Sequence, residues 1–293
     1  MTLWNLGSIN ADFTYTVPHF PAPGETLPAT SLVRGLGGKG ANQSVAAARA
    51  GADVQHLGAI GPDGDWALEA LAGYGVGVGY VARLPDTPTG HALIFVVPDG
   101  ENAIVLNPCA NRAITQARAL GWMAHVQKGD TLILQNETDA GAAAASAARE
   151  AGARVVYSAA PFEAAAAAEM LPMTDLLIVN AVEAEQLANS LGTAPETLPV
   201  PELLVTRGAD GATFYDLAQG QQVSVPAPKV TAVDTTGAGD TFAGWFCASR
   251  DMGASVAEAL AAAAQASALQ VTRPGTAAAI PSAAEVAAAL AEG

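Results

Sequence analysis

The sequence predicts an α/β protein: a three-layer sandwich on a parallel sheet, with a second, smaller sheet beside it. Three observations predict this. Short apolar runs alternate with helical stretches along most of the 293 residues. Runs of that kind suit strands buried on both faces, and their alternation with helices calls for right-handed crossovers. Residues 12–36 and about 88–106 break the rhythm with strand-like runs and no helix between them, the pattern of a separate sheet. A composition that is 51% hydrophobic can supply one large core.

In chain order, "LWNLGSI" is the first strand, and "FTYTV" and "ETLPATSLVR" open the smaller sheet. "GANQSVAAARAGA" reads as a helix and "VQHLGAIG" as a strand. "GHALIFVV" and "NAIVL", joined by the turn "VPDGEN", complete the smaller sheet. "TLILQN", "ARVVYSA", "DLLIVN" and "ELLVTRG" are further strands, with helical stretches near 139–151, 163–171 and 182–191. Alanine favours helix, so "AAAASAARE" and "EAAAAAEM" are ordinary helices and not low complexity. Helices return at about 238–250, 255–270 and 282–291. No internal repeat and no linker divides the chain, so one domain over 1–293 is expected. A small sheet beside the carboxyl ends of a parallel sheet could serve as a lid.

The formal net charge is -15. No basic stripe of the kind a nucleic-acid binder shows is present, and the acidity serves solubility. A polyanionic substrate must then be met by backbone dipoles, a few cations or a metal. Cys109 and Cys247 lie far apart, form no CxxC and have no histidine spacing for zinc; a reducing cytoplasm is expected. "MTLWNLGSINADF" has no signal-peptide layout, and no apolar stretch of membrane-spanning length is predicted. The histidines at 19, 56, 91 and 125 form no constellation and receive no role.

Three stretches carry chemistry. In "AVDTTGAGDTFAGW", residues 232–245, a glycine-rich turn opens a helix. Amides at a helix start are unpaired and the macrodipole is positive there, so Gly237, Ala238 and Gly239 could bind an anion without a lysine. Asp240 follows in the first turn, either as a helix cap or as a general base that takes a proton from an attacking hydroxyl. "RGLGGKGANQ", residues 34–43, contains a literal G-x-G-x-x-G at Gly35, Gly37 and Gly40. It follows the smaller sheet and not the first strand, so a dinucleotide reading competes with simple close packing. Lys39 and Asn42 favour a polyhydroxy ligand there. "GSINAD" places Asn10 and Asp12 at the end of the first strand, where open α/β sheets bind ligands; a plain turn is the other reading. Weaker pieces are "NAVEAE" with Asn180 and Glu183, "TRGADG" at 206–211 as a nucleotide-contacting turn or a tight hairpin, and Glu137 just past a strand end.

Together these motifs resemble the PfkB-type carbohydrate kinase family, its ribokinase branch in particular. "GSINAD", "FPAPGET", "GGKGANQ", "ALIFV", "NAVEAE", "AVDTTGAGDTF" and "VTRPG" stand in the family's order over nearly the whole chain. The resemblance implies a ribokinase-like three-layer α/β/α sandwich with the small sheet as lid. It implies that Asn10, Asp12, Gly38, Lys39, Asn42 and Glu137 contact a sugar. Asn180, Thr206, Arg207, Gly208, Gly211 and Gly239 would line the nucleotide site, and Gly237, Ala238 and Gly239 would form the anion hole. Asp234, Thr236, Gln270, Arg273, Gly275 and Ala279 would surround potassium, mostly through carbonyls. Departures from the family pattern are "YSAAPF", a short 192–202 segment, and the bulky Asn107–Pro108 pair.

The function implied is ATP-dependent phosphorylation of D-ribose to ribose 5-phosphate, with Asp240 as base, Mg2+ bridging the phosphates and Glu183 acting on it through water. The implied assembly is a cytoplasmic homodimer that packs lid on lid. Rival readings are a relative acting on another sugar or a nucleoside, a dinucleotide-dependent oxidoreductase with Asp63 as its acidic residue, and a non-catalytic sugar sensor.

Overall fold

The computed structural model describes residues 1–292; Gly293, the last residue of the expected domain, lies outside the described residues. The chain opens with β1 (Leu3–Leu6), β2 (Asn10–Thr16), β3 (Ser31–Gly37) and α1 (Lys39–Ala50). Next come β4 (Val54–Ile60), α2 (Asp65–Gly73), β5 (Gly77–Arg83), β6 (Gly90–Val96) and β7 (Asn102–Asn107). Then α3 (Gln116–Met123), β8 (Thr131–Gln135), α4 (Gly141–Glu150), β9 (Arg154–Ser158), α5 (Ala164–Met170), β10 (Leu176–Asn180), α6 (Ala181–Leu191) and β11 (Glu202–Thr206) alternate. The chain closes with β12 (Ala212–Asp216), β13 (Gln221–Val225), α7 (Ala238–Asp251), α8 (Val256–Val271) and α9 (Ala283–Glu292).

The larger sheet runs β13-β12-β11-β10-β9-β8-β1-β4-β5. Its strands are parallel from β5 to β11, while the β11–β12 and β12–β13 pairs are antiparallel. The smaller sheet has the order β3-β2-β6-β7, with β2 and β6 parallel and the outer pairs antiparallel.

Strand alternation sorts side chains into two cores. Leu132 and Leu134 of β8 join Val155 and Tyr157 of β9 under Trp122 of α3 and Ala144 of α4. Ile133, Val156 and Ile178 point the other way, toward Val45 of α1, Phe246 of α7 and Leu260 of α8. The period-2 alternation of the strands thus yields the predicted three layers. A Cβ on Gly7 or Gly40 would collide with the other residue's backbone; the absence of both lets α1 begin directly on the end of β1.

Two differences from the sequence reading matter. Asn10 and Asp12 lie within β2 and not in a turn, because the chain passes from the larger sheet straight into the smaller one. α2, α3, β5, β12 and β13 were not anticipated. β5 is interrupted by glycine and half-exposed, and β12 and β13 are short strands at one end of the sheet, with β13 at its edge and no continuous apolar run in either.

Candidate active site

The helix starts of α1 and α7 meet beyond the carboxyl ends of the central strands. Gly237 takes a left-handed conformation (φ 79°) that brings the chain into α7. Only glycine adopts that conformation without strain. Gly38 also has a positive φ (94°), with an extended ψ of 134°, ahead of α1, where a Cβ would press on the Ser8 carbonyl. First-turn amides of a helix lack intrahelical acceptors. Ala238 N–H nevertheless donates to the Thr235 carbonyl (3.2 Å), so it is already engaged within the turn.

Asp240 makes no capping bond on its own helix. Its carboxylate faces α1, where Asn42 Nδ2 donates to Oδ2 (3.1 Å) and Gln43 Nε2 donates to Oδ1 (3.0 Å). Burial pushes its pKa up, opposed by the Lys39 charge and the two amide donors, while Glu137 adds a small upward push. The Lys39 ammonium is held protonated above its usual range chiefly by Asp240, against burial and with help from Glu137 and Glu183. Glu137 Oε2 accepts from the Ser8 hydroxyl and from Lys39 N–H (3.1 Å). Burial, with Glu137 nearby, pushes Asp12 up to about 7. Asp12, Lys39, Asn42, Glu137 and Asp240 therefore belong to one connected cluster, and Asn10 shares a cavity wall with Glu137.

Two cavities flank this cluster. The smaller, about 100 Å³, is lined by Asn10, Leu106, Pro108, Asn111, Arg112 and Glu137, among others. Asn111 and Arg112 were not singled out from the sequence. Asn111 Nδ2 donates to Asn10 Oδ1 (2.7 Å), and its Oδ1 accepts from Ile9 N–H (2.9 Å), which fixes the Asn10 amide. Arg112 donates to the Asn136 carbonyl (2.7 Å) and pairs with Asp139 (3.2 Å). The larger cavity, about 420 Å³, is walled by Thr206, Gly208, Gly211, Ala238, Gly239 and Phe242 and rimmed by Lys229. A lone lysine in a loop carries no spacing signal, which is why Lys229 went unread.

Some expected residues stand apart. Asn180 is not on the wall of the larger cavity; it forms a reciprocal capping box with Glu183 at the start of α6. Arg207 is likewise off that wall, its guanidinium turned onto Thr213 (2.7 Å) and Tyr215 (3.2 Å) of β12. Asp63 accepts hydrogen bonds from the Thr89 amide and hydroxyl, a structural task unlike the one a dinucleotide fold would give it. Asp234 draws its two segments together, accepting from Thr236 N–H (2.9 Å) and Gly275 N–H (3.0 Å). Gln270 Nε2 donates to the Thr236 carbonyl (2.7 Å), while its Oε1 is buried without a partner. The Arg273 guanidinium pairs with Glu285 (2.7 Å) and not with Asp234, and Ala279 is buried.

The pfkB family carbohydrate kinases share a sequence profile that matches residues 3–283. The chain belongs to that family. This kinase is 34% identical to a ribokinase of Haemophilus influenzae, over 96% of this chain and 95% of that one. It is 31% identical to a deoxyribokinase of Salmonella typhimurium, over 94% of each. Its structure resembles that of Arabidopsis thaliana ribokinase complexed with ribose and ATP (TM-score 0.85, 28% identity, covering 99% of this chain and 98% of that one). The fold of this kinase is ribokinase-like, and its chemistry is phosphoryl transfer to an alcohol acceptor.

Proposed function

We propose that this kinase transfers the γ-phosphoryl group of ATP to the terminal hydroxymethyl oxygen of D-ribose, giving ribose 5-phosphate. The observation that carries the reading is Asp240, a buried carboxylate one residue past the wall of the larger cavity, tied through Lys39 to the Glu137 side of the smaller one. Asp240 removes the hydroxyl proton as it attacks. Lys39 and the amides of 237–239, the Ala238 N–H turning from the Thr235 carbonyl to do so, hold the negative charge of the transferring group, which is where most of the catalysis of phosphoryl transfer lies. Asn10, Asp12, Gly38, Lys39, Asn42 and Glu137 bind the sugar, and the larger cavity takes the nucleotide.

Mg2+ supplies charge neutralisation between the phosphates when bound. No group of three or more His, Cys, Asp or Glu is gathered for a metal among the described residues. That fits an ion held mainly by phosphate oxygens, with Glu183 acting through water. A potassium ion suits the Asp234 segments: one carboxylate, the carbonyls of Thr236, Gln270, Arg273, Gly275 and Ala279, and the unpartnered Gln270 Oε1.

The kinase domain spans 1–293, with 12–36 and 88–106 as a lid that pairs with a second copy's lid. The enzyme works in the cytoplasm, a reading compatible with the absence, among the described residues, of any helix long and apolar enough to cross a membrane. A coupled ADP-release screen over pentoses, 2-deoxyribose, hexoses and nucleosides tests the substrate. Ribose should give the highest kcat/KM. A tenfold preference for 2-deoxyribose, the acceptor named for the Salmonella relative, would replace ribose and leave the kinase chemistry in place.

A further inference from the structure

Behind Asp240 a file of buried polar side chains crosses the layer that elsewhere holds Ile133, Val156 and Ile178. Asn5, Gln43, Ser44 and His56 are completely inaccessible, and Gln135 nearly so. Buried polar groups are costly unless partnered, and here every side chain but one is fully engaged, Gln135 Oε1 being left without a partner, so a line of them through a core calls for a purpose.

Its polarity can be read bond by bond. His56 Nε2 faces the Gly7 carbonyl (3.2 Å), which only accepts, so that nitrogen carries the proton and Nδ1 is bare. Burial holds the ring's pKa down at about 4, so it stays neutral. Nδ1 therefore accepts from the Ser44 hydroxyl (2.8 Å). Ser44 Oγ then accepts from Asn5 Nδ2 (3.0 Å), which also donates to the Gly40 carbonyl (2.9 Å). Asn5 Oδ1 accepts from Gln135 Nε2 (2.9 Å), whose second proton goes to Gln43 Oε1 (2.7 Å). With its oxygen so engaged, Gln43 can present only its amide protons, to Ser158 Oγ (3.3 Å) and to Asp240 Oδ1 (3.0 Å).

We propose that Gln43 is a positioning residue for Asp240, and that the ladder from the Gly7 carbonyl through His56, Ser44, Asn5 and Gln135 keeps its amide from flipping. A flipped Gln43 would turn its oxygen on the carboxylate. In the observed order it donates to the charged form, lowering the proton affinity that burial raises, and aims the second oxygen away from Gln43. The other groups that bear on Asp240 are Asn42, Lys39 and Glu137, and the ladder leaves them unchanged. The proposal rests on Asp240 being the base.

The test measures kcat and both KM values from pH 5 to 9 for wild type, Gln43→Met, Gln135→Met and Asp240→Asn, with thermal melts to confirm folding. Methionine keeps the volume and removes the donors. Gln43→Met should lower kcat about tenfold at neutral pH and move its acid limb up by about one unit, the effect of one hydrogen bond to a charge. Its KM values should stay within about threefold, since the role is one of transition-state alignment. Gln135→Met touches nothing on Asp240, yet it should move the limb in the same direction by less, and it carries the test if Gln43→Met does not fold. An unmoved acid limb in the folded variants, beside an inactive Asp240→Asn, would overturn the ladder alone. Normal turnover by Asp240→Asn would remove the base, and the ladder's role with it.

Discussion

The carboxyl of Asp12 lies over Gly37, where a Cβ would collide with it, and burial beside Glu137 holds its pKa at about 7. The folded-state pKa therefore exceeds the ordinary carboxyl value of 3.8. The folded protein keeps a proton that the unfolded chain releases, so Asp12 costs stability increasingly as pH rises from about 4 to about 7 and costs most above that. Asp12→Asn should raise the melting temperature at pH 8 by several degrees, with the gap closing toward pH 4, while the KM for sugar rises about tenfold for the lost acceptor. Melts across that range check this; a gap independent of pH would contradict it. At this scale the motif residues were legible. Lys39, Asn42 and Asp240 sit in glycine-rich turns at helix starts, where chemistry can be argued from type and spacing. Gln43 was not legible, since its partners Gln135, Ser158 and Asp240 come from two different strands and another helix. Asn111 and Arg112 are single polar residues in a short irregular turn, with no period to mark them.

Alternating strands and helices between β8 and α6 could be read because each strand there is an uninterrupted apolar run buried throughout or nearly so. β12 and β13 could not, since this antiparallel end of the sheet has mixed sequences, ATFYD and QQVSV, with no apolar run of strand length. The "NAVEAE" stretch shows the limit of motif reading: its Asn and Glu meet as a helix cap at the start of α6, and the same Glu183 charge reaches Lys39. The two segments joined by Asp234 lead to a sharper expectation. A cation held between them would stiffen the turn that shapes the 237–239 amides, and geometry alone can set rate there. With magnesium and ATP saturating, potassium chloride should raise kcat several-fold over tetramethylammonium chloride at equal ionic strength. Equal rates in the two salts would remove the cation from the account without touching the kinase chemistry.

Across the whole molecule, a chain of net charge -15 encloses Lys39 among the charges of Asp240, Glu137 and Glu183, while Lys229 stands at the larger cavity. The smaller sheet leaves a row of apolar side chains uncovered: Leu32 and Val33 on β3, and Ile104, Val105 and Leu106 on β7, are 44–62% exposed. Exposed apolar edge strands ask for a partner. Light scattering at micromolar concentration should give a dimer, and Val105→Glu should give a monomer with a raised sugar KM; a wild-type monomer would contradict the lid pairing. One carboxylate between two cavities carries the proposed chemistry, and the most direct test is the turnover of Asp240→Asn with ribose and ATP, alongside ribose binding by calorimetry. The account predicts a kcat lower by about two to four orders of magnitude, with ribose affinity changed only a few-fold. Near-normal turnover in that variant would contradict it.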